Sequence, residues 1–191
     1  GVYGSEEEGM DGDSPISDFL NLFPDAVTPY MAEYPDTDNC AEISMTFKTE
    51  VLGLSEEDAG YLDYCAHAKI LGDYVDLVFV ADIGMNSTMY LYTFTKDGTL
   101  QEQFRMHHMT IPNAPEREEI KAILNEDFSI ELNYWSGKWV DADGNDSDGS
   151  QEGDKLVETI RIGKYVIADD GSIQEIESTP MNSKDDLALF R

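Results

Sequence analysis

The amino-acid sequence predicts a mainly β protein, an antiparallel meander of hairpins that forms a sandwich or a partly open barrel with a few short helices. Two observations lead to this prediction. Apolar and aromatic side chains are concentrated in short stretches that are separated by turn residues, as in all-β domains. Two of these turns contain Asp-Gly, at Gly98 and Gly171, and glycine accepts the positive φ that a tight hairpin requires.

The chain divides into a predicted acidic tether, residues 1–13, and a single β-rich globular domain, residues 14–191. The tether combines five carboxylates with four glycines, so it cannot bury enough apolar surface to offset its ordering entropy. At the domain boundary, Ser14 is a suitable cap and Pro15 a suitable first-turn residue for a short helix that ends at Pro24.

The next elements follow from periodicity. Alternation of Ile43, Met45 and Phe47 with polar neighbours predicts a half-buried strand from Glu42. Ser55 followed by three acidic residues is typical of a capped helical start. Two apolar stretches, Cys65–Leu71 and Tyr74–Ile83, are separated by Gly72-Asp73 and predict a hairpin of central strands.

Two later segments share one hairpin signal. Thr88–Thr95 and Thr99–Met106 flank Lys96-Asp97-Gly98, and the stretch from Tyr92 to Gln103 lines up with Tyr165–Ile176 at its tyrosine, Asp-Gly, glutamine and glutamate positions. The economical interpretation is two similar hairpins, because no regular repeat period accompanies the match.

The segment Glu116–Leu124 is ambiguous. Pro115 and the early glutamates slightly favour a helix, whereas the Asn125-Glu126-Asp127 turn equally fits a hairpin into Phe128–Tyr134. Beyond a polar loop, Asp141–Asp154, further strands precede a short closing helix predicted over Ser183–Phe190.

The charge balance restricts the partners. Twelve Lys plus Arg against 40 Asp plus Glu give a formal net charge of −28. Nucleic acids and anionic membrane surfaces require clustered cations, but the first basic residue is Lys48 and the others are scattered singly. No apolar run has the length of a transmembrane helix.

The first candidate site is aromatic. Tyr134, Trp135 and Trp139 belong to a segment that we predict to place the two indoles across a tight turn. Exposed aromatic rings form flat platforms for sugar rings or protein partners, although core packing is the more common role of such residues.

The second candidate site is a calcium loop. Asp141, Asp143, Asn145 and Glu152 fall at ligand positions of an EF-hand-like register, because hard cations require several oxygen ligands along one loop. The register departs from that pattern at Asp146, which replaces the turn glycine, so a solvated hairpin loop explains the same residues.

A third set of residues has chemical potential. Cys65 and His67 share a strand face and offer a nucleophile with a base, while the abundant carboxylates offer an acid and base for hydrolysis. Cys65 equally offers a disulfide with Cys40 in an oxidising compartment, and both alternatives stay open at the sequence level.

The acidic start, the Asp18–Pro24 segment, the Tyr90–Gly98 hairpin and Ile167–Gly171 together resemble secreted lipoproteins of gut Bacteroidetes, whose functions are unknown. The resemblance is one of sequence style over most of the chain. It implies a lipid-modified cysteine upstream, an acidic tether and a β-rich domain at the cell envelope or surface, and it supplies no catalytic residue.

Three functional hypotheses follow. The first is a noncatalytic extracytoplasmic binding or accessory module for a glycan or protein ligand. The second is a small hydrolase using carboxylates or Cys65 with His67. The third is an acidic inhibitor or scaffold that recognises a cationic protein through its charge.

Overall fold

The structure, a computed structural model, describes residues 15–33, 37–84 and 86–191. The predicted tether and the predicted cap Ser14 lie outside these ranges. The helices within them are α1 (Pro15–Leu20), α2 (Met45–Glu50) and α3 (Glu56–Tyr61), with short 3-10 turns at Thr37–Asn39, Lys184–Asp186 and Ala188–Phe190. None of these helices has the length and apolar character needed to cross a membrane.

Eleven antiparallel strands within the described ranges form one sheet, which confirms the mainly β prediction. The strands are β1 (Tyr30–Met31), β2 (Ala41–Glu42), β3 (Tyr64–Leu71), β4 (Val75–Asp82), β5 (Ser87–Thr95), β6 (Leu100–Met109), β7 (Glu116–Leu124), β8 (Ser129–Val140), β9 (Asp146–Ser147), β10 (Lys155–Ile167) and β11 (Ile173–Pro180). Their order is β11-β10-β8-β7-β6-β5-β4-β3-β2, with β1 on β7 and β9 on β8. Because β11 and β2 are the two ends of this order, the sheet does not close into a barrel.

The two predicted Asp-Gly hairpins are present, and they contact each other. Gly98 and Gly171 both have φ of 89° in the turns that join β5 to β6 and β10 to β11. The Thr93 hydroxyl donates to the carbonyl of Gly171 at 2.6 Å. The rings of Phe104 and Tyr165 meet edge to face with centroids 4.9 Å apart. The sheet is therefore curved enough to bring its second hairpin onto its first.

The curved sheet buries apolar side chains on both faces. In β4, Leu77 and Phe79 belong to the core between the two halves of the sheet, whereas Val78 and Val80 face the layer formed by the helices. This two-sided burial explains why β4 is a nearly continuous apolar run. A third cluster lies on the outer face of β8 and β10, where the C-terminal segment packs and Leu187 is fully buried.

The strand predicted from Glu42 is wrong, because Met45–Glu50 is helical. Ser44 caps α2, and its hydroxyl oxygen accepts from the backbone N–H of Phe47 at 3.2 Å. Ile43, Phe47 and Val51 are four residues apart, so the same apolar residues fit a helical face, and Met45 is 49% exposed. The apolar residues of this segment fit both the strand period and the helix period, and the N-cap at Ser44 favours the helix.

The slight preference for a helix over Glu116–Leu124 is also wrong. This segment is β7, and it pairs with β8 along its entire length. Ile120, Ala122 and Leu124 alternate into the core, and the backbone N–H of Asn125 bonds to the carbonyl of Ser129 at 2.8 Å across the turn. Pairing with two neighbouring strands outweighed the local helix signal of Pro115.

A disulfide joins Cys40 to Cys65, which resolves the alternatives left by the sequence. It ties the segment before β2 to β3 at the edge of the sheet.

The helical start at Ser55 is confirmed as the cap of α3, and the predicted closing helix is replaced by the two 3-10 turns near the C-terminus.

Candidate functional site

The tight turn predicted between Trp135 and Trp139 is wrong, because β8 runs through both residues. The two tryptophans lie on the outer face of β8, since residues four apart in a strand point to the same side of the sheet. The register places Gly137 between them, opposite Arg117 on β7. On the other side, Leu156 of β10 is opposite Trp139. Three adjacent strands thus supply one continuous patch of surface.

This patch is the floor of a cleft of about 470 Å³. Its walls come from three different parts of the chain: the loop of residues 112–115, Ser147 of β9 with the following Asp148, and Lys184 in the C-terminal segment. The volume is in the range of small-molecule binding sites.

Gly137 keeps the floor of the cleft open. A Cβ atom at this position would lie 2.6 Å from Cζ2 of Trp135 and 3.3 Å from Cδ1 of Leu156. Any larger residue would displace the indole or fill the space between the two tryptophans.

Trp135 is the fixed aromatic residue of the cleft. It is 6% exposed, and its indole N–H donates to Oε2 of Glu158 at 2.6 Å. Lys184 Nζ lies 4.3 Å from the centroid of its ring, and Arg117 Cζ lies 5.8 Å away, so two cations contact the indole. Trp135 therefore serves mainly to organise the charged groups around it.

Trp139 is the accessible aromatic residue. It is 37% exposed. Its ring rests on Gly149, where an added Cβ would lie 2.6 Å from Cδ2 of the indole. Gly149 has φ of 79°, a conformation that favours glycine, so the loop approaches closely enough to support the ring. A supported but exposed indole is suited to contact a flat ligand.

Tyr134 does not join this cleft. As the neighbour of Trp135 in a strand, it points to the opposite face of the sheet, where its hydroxyl donates to Oε2 of Glu118 at 2.8 Å. Arg161 Cζ lies 5.0 Å from the centroid of its ring. The predicted platform therefore separates into two tryptophans in the cleft and one tyrosine outside it.

The loop predicted to bind calcium has a structural explanation of its own. Asp141 Oδ1 accepts from the backbone N–H groups of Asp143 and Asn145, both at 2.9 Å, which is a turn-stabilising pattern. Glu152 is exposed. Within residues 15–33, 37–84 and 86–191 there is no group of three or more His, Cys, Asp or Glu arranged to hold a metal. The calcium hypothesis stays a prediction, and the loop's observed contribution is the wall beside Trp139.

Cys65 is not a nucleophile in this structure, because its sulfur is bonded to Cys40. His67 lies at a bulge between the register positions of Ala66 and Ala68, and burial lowers its pKa. The sequence-based pairing of Cys65 with His67 for hydrolysis is therefore corrected.

A second polar cluster lies around Glu118. Arg105 Nη1 donates to Glu118 Oε1 at 2.6 Å, and this bond lowers the pKa of Glu118. His108 Nδ1 and the Thr88 hydroxyl are 2.8 Å apart. Burial raises the pKa of nearby Asp82. The hydrolase hypothesis, without Cys65, would depend on this cluster.

Another cleft, of about 320 Å³, lies among three hairpin turns and has four carboxylates in its lining, those of Asp73, Glu126, Asp127 and Asp169. Asp127 already accepts from the backbone N–H and the hydroxyl of Ser129. This acidic end of the sheet is the surface that the cationic-partner hypothesis would use.

Comparison of the chain with protein-family models, with curated proteins and with solved structures gives no match.

Sequence reasoning found the two tryptophans of the cleft but missed Arg117, Lys184 and Asp148. Arg117 would have followed from treating Glu116–Leu124 as a strand paired with β8, since the register then places it beside Gly137. For Lys184 the sequence contains no such signal, because its position depends on the path of the C-terminal segment.

Proposed function

We propose that the protein is a noncatalytic binding module that acts outside the cytoplasm and holds a glycan in the cleft of Trp135 and Trp139. The observation that supports this most strongly is the exposed indole of Trp139, which is backed by Gly149 in a cleft of about 470 Å³. The C–H groups on one face of a sugar ring form an apolar surface that packs against such an indole.

The polar groups around the indole fit the same ligand. Arg117, Ser147, Asp148 and Lys184 line the cleft, so hydrogen-bond donors and acceptors converge on a site with an apolar floor. A sugar combines apolar ring faces with hydroxyl groups at its rim and would use both.

Location outside the cytoplasm is supported by the disulfide between Cys40 and Cys65, since such bonds persist mainly in oxidising compartments. The resemblance to secreted lipoproteins points the same way. A lipid anchor upstream and attachment to the cell envelope remain part of the proposal.

The experiment is a screen of immobilised glycans, followed by calorimetry of each hit with three proteins: the wild type, Trp139→Ala and Tyr61→Ala. Tyr61 is 84% exposed and does not line the cleft, so it controls for the loss of an accessible aromatic ring. We expect Trp139→Ala to weaken binding at least about tenfold, equivalent to about 1.4 kcal/mol, and Tyr61→Ala to bind as the wild type does.

Equal binding by both variants would contradict the assignment of the site. A second outcome would change the proposed class of ligand from a glycan to a protein. In that outcome no glycan binds, and the protein captures an extended peptide from a peptide library in a manner that depends on Trp139.

A further inference from the structure

The cleft contains a nearly balanced set of charges. Arg117 and Lys184 are its two cations, while Glu119, Glu158 and Asp148 are three carboxylates in or against it. Two positive and three negative charges leave the cleft with a net charge of 2 − 3 = −1. The chain has only 12 Lys and Arg in total.

Both cations already have a carboxylate partner. Lys184 Nζ lies 2.7 Å from Oε2 of Glu119, and Arg117 Nη2 lies 3.4 Å from Oε1 of the same residue. An acidic ligand would have to compete with Glu119 for these cations, or else desolvate its own charge without compensation. The cations consequently cannot serve as a free receptor for a carboxylate or sulfate group.

Hydrogen-bonding capacity is nonetheless left over. Arg117 bonds to Glu119 through Nη2, and its Nη1 amino group makes no hydrogen bond to any described residue. Asp148 accepts from Ser150 through Oδ1, and its Oδ2 makes no hydrogen bond to any described residue. A sugar hydroxyl both donates and accepts, so it suits a site that offers a donor and an acceptor without a net positive charge.

The electrostatic field of the whole molecule also disfavours acidic ligands. With a formal net charge of −28, the protein repels polyanionic chains at long range. An acidic polysaccharide would meet this repulsion before it reached the cleft, whereas a neutral polysaccharide would not.

From this charge balance we infer that the ligands of the cleft are uncharged sugars and that uronic acids and sulfated sugars are excluded. This inference rests on the proposed function, because it specifies the chemical class of ligand for the same site.

The test compares neutral tetrasaccharides of glucose, galactose, mannose or xylose with tetragalacturonate, by calorimetry on the intact protein. We expect at least one neutral compound to bind, with an affinity that changes less than about twofold between about 50 mM and about 500 mM NaCl, because no ion pair is formed. Tetragalacturonate should give no measurable heat at either salt concentration.

A charge variant tests the cause of this exclusion. Glu119→Gln removes the shared partner of Arg117 and Lys184, and it should allow tetragalacturonate to bind in a salt-sensitive manner. Glu126→Gln is the matched control, since it removes one negative charge at an exposed turn that does not line the cleft and should leave exclusion unchanged.

The outcomes separate the two proposals. Trp139-dependent binding of tetragalacturonate by the wild type, as tight as that of the neutral compounds, would overturn the inference and leave the binding function standing. If Glu119→Gln still fails to bind tetragalacturonate, the charge of Glu119 is not the cause of the exclusion of acidic sugars. If neither class of sugar binds, the glycan-binding function itself fails.

Discussion

At the scale of single residues, a few buried polar groups connect distant parts of the sheet. Thr93 is fully buried in β5, and its hydroxyl reaches the carbonyl of Gly171 in the turn after β10. This bond spans 78 residues of sequence and holds the two Asp-Gly hairpins together. A buried carbonyl that loses its donor costs free energy because no water replaces it.

Thr93→Val preserves the shape of the side chain and removes the donor. We expect the free energy of unfolding to fall by about 1–3 kcal/mol, measured by urea denaturation. Thr179→Val is the control, because Thr179 is exposed on β11 and, among the described residues, its hydroxyl bonds only to the side chain of Glu177. Equal stability of the two variants would contradict the proposed link between the hairpins.

Glu118 is the residue for which a pH effect follows most directly. The hydrogen bond from Arg105 lowers its pKa in the folded state below the ordinary value of 4.5. A lowered folded pKa means that the contribution to stability is present above pH 4.5 and is lost as the pH falls through the folded-state pKa.

Glu118→Gln should therefore flatten the decrease in stability below about pH 4.5, relative to the wild type. The measurement is the free energy of unfolding between neutral pH and the acid limit. Glu126→Gln makes the same change in net charge at an exposed turn, and it should keep the wild-type slope. If the stability of Glu118→Gln also falls with pH as steeply as that of the wild type, the bond between Arg105 and Glu118 does not govern the response to acid.

At the scale of elements, local patterns were sufficient where only one structure satisfied them. Apolar runs with an Asp-Gly turn identified the β5–β6 and β10–β11 hairpins, because that turn fixes the register of both strands. The nearly continuous apolar run of β4 also identified a central strand.

Local patterns failed where non-local contacts decided the outcome. Ile43, Phe47 and Val51 fit two periods, and Glu116–Leu124 had a helix signal at its start but strand partners on both sides. For the site, the sequence identified Trp135 and Trp139 but placed a tight turn between them, whereas both lie on one strand, β8. Arg117 required the β7–β8 register, and Lys184 required the tertiary path of the C-terminal segment.

The disulfide is a testable element-scale restraint. It closes a loop with a sequence separation of 25 residues between Cys40 and Cys65. In the chain-entropy model a loop of this size corresponds to about 3.5 kcal/mol of stability. Full reduction should then lower the Tm by about 10 °C, given about 2–4 °C per kcal/mol for a chain of this size.

The matched variant for this prediction is the double substitution Cys40→Ala with Cys65→Ala, which should melt at the same temperature with and without reductant. An unchanged Tm of the wild type, when thiol titration shows complete reduction, would contradict a stabilising role for the bond.

At the scale of the whole molecule, the dominant quantity is the net charge. A formal charge of −28 creates repulsion within the folded state as well as between copies. Lys and Arg form eight ion pairs with carboxylates among the described residues. With only 12 Lys and Arg against 40 Asp and Glu, negative charge remains in large excess.

Screening this repulsion should stabilise the fold. We expect the Tm at neutral pH to rise as NaCl increases from about 10 mM to about 300 mM, because the Debye length shrinks from about 30 Å to below 10 Å. Calorimetry across this series measures the effect, with an uncharged osmolyte of equal osmolality as control. A Tm that falls with added NaCl would show that attractive pairs, rather than repulsion, dominate.

The proposed binding function can be tested directly because the chain has only two tryptophans, and both line the cleft. A ¹H–¹⁵N NMR spectrum therefore contains just two indole N–H signals, one from each tryptophan. Titration with the neutral tetrasaccharides should shift the Trp139 signal in a saturable manner, while backbone signals of the acidic turns around Asp73 stay in place. Indole signals that remain fixed at saturating concentrations of every neutral sugar would contradict the assignment of this cleft as a glycan site.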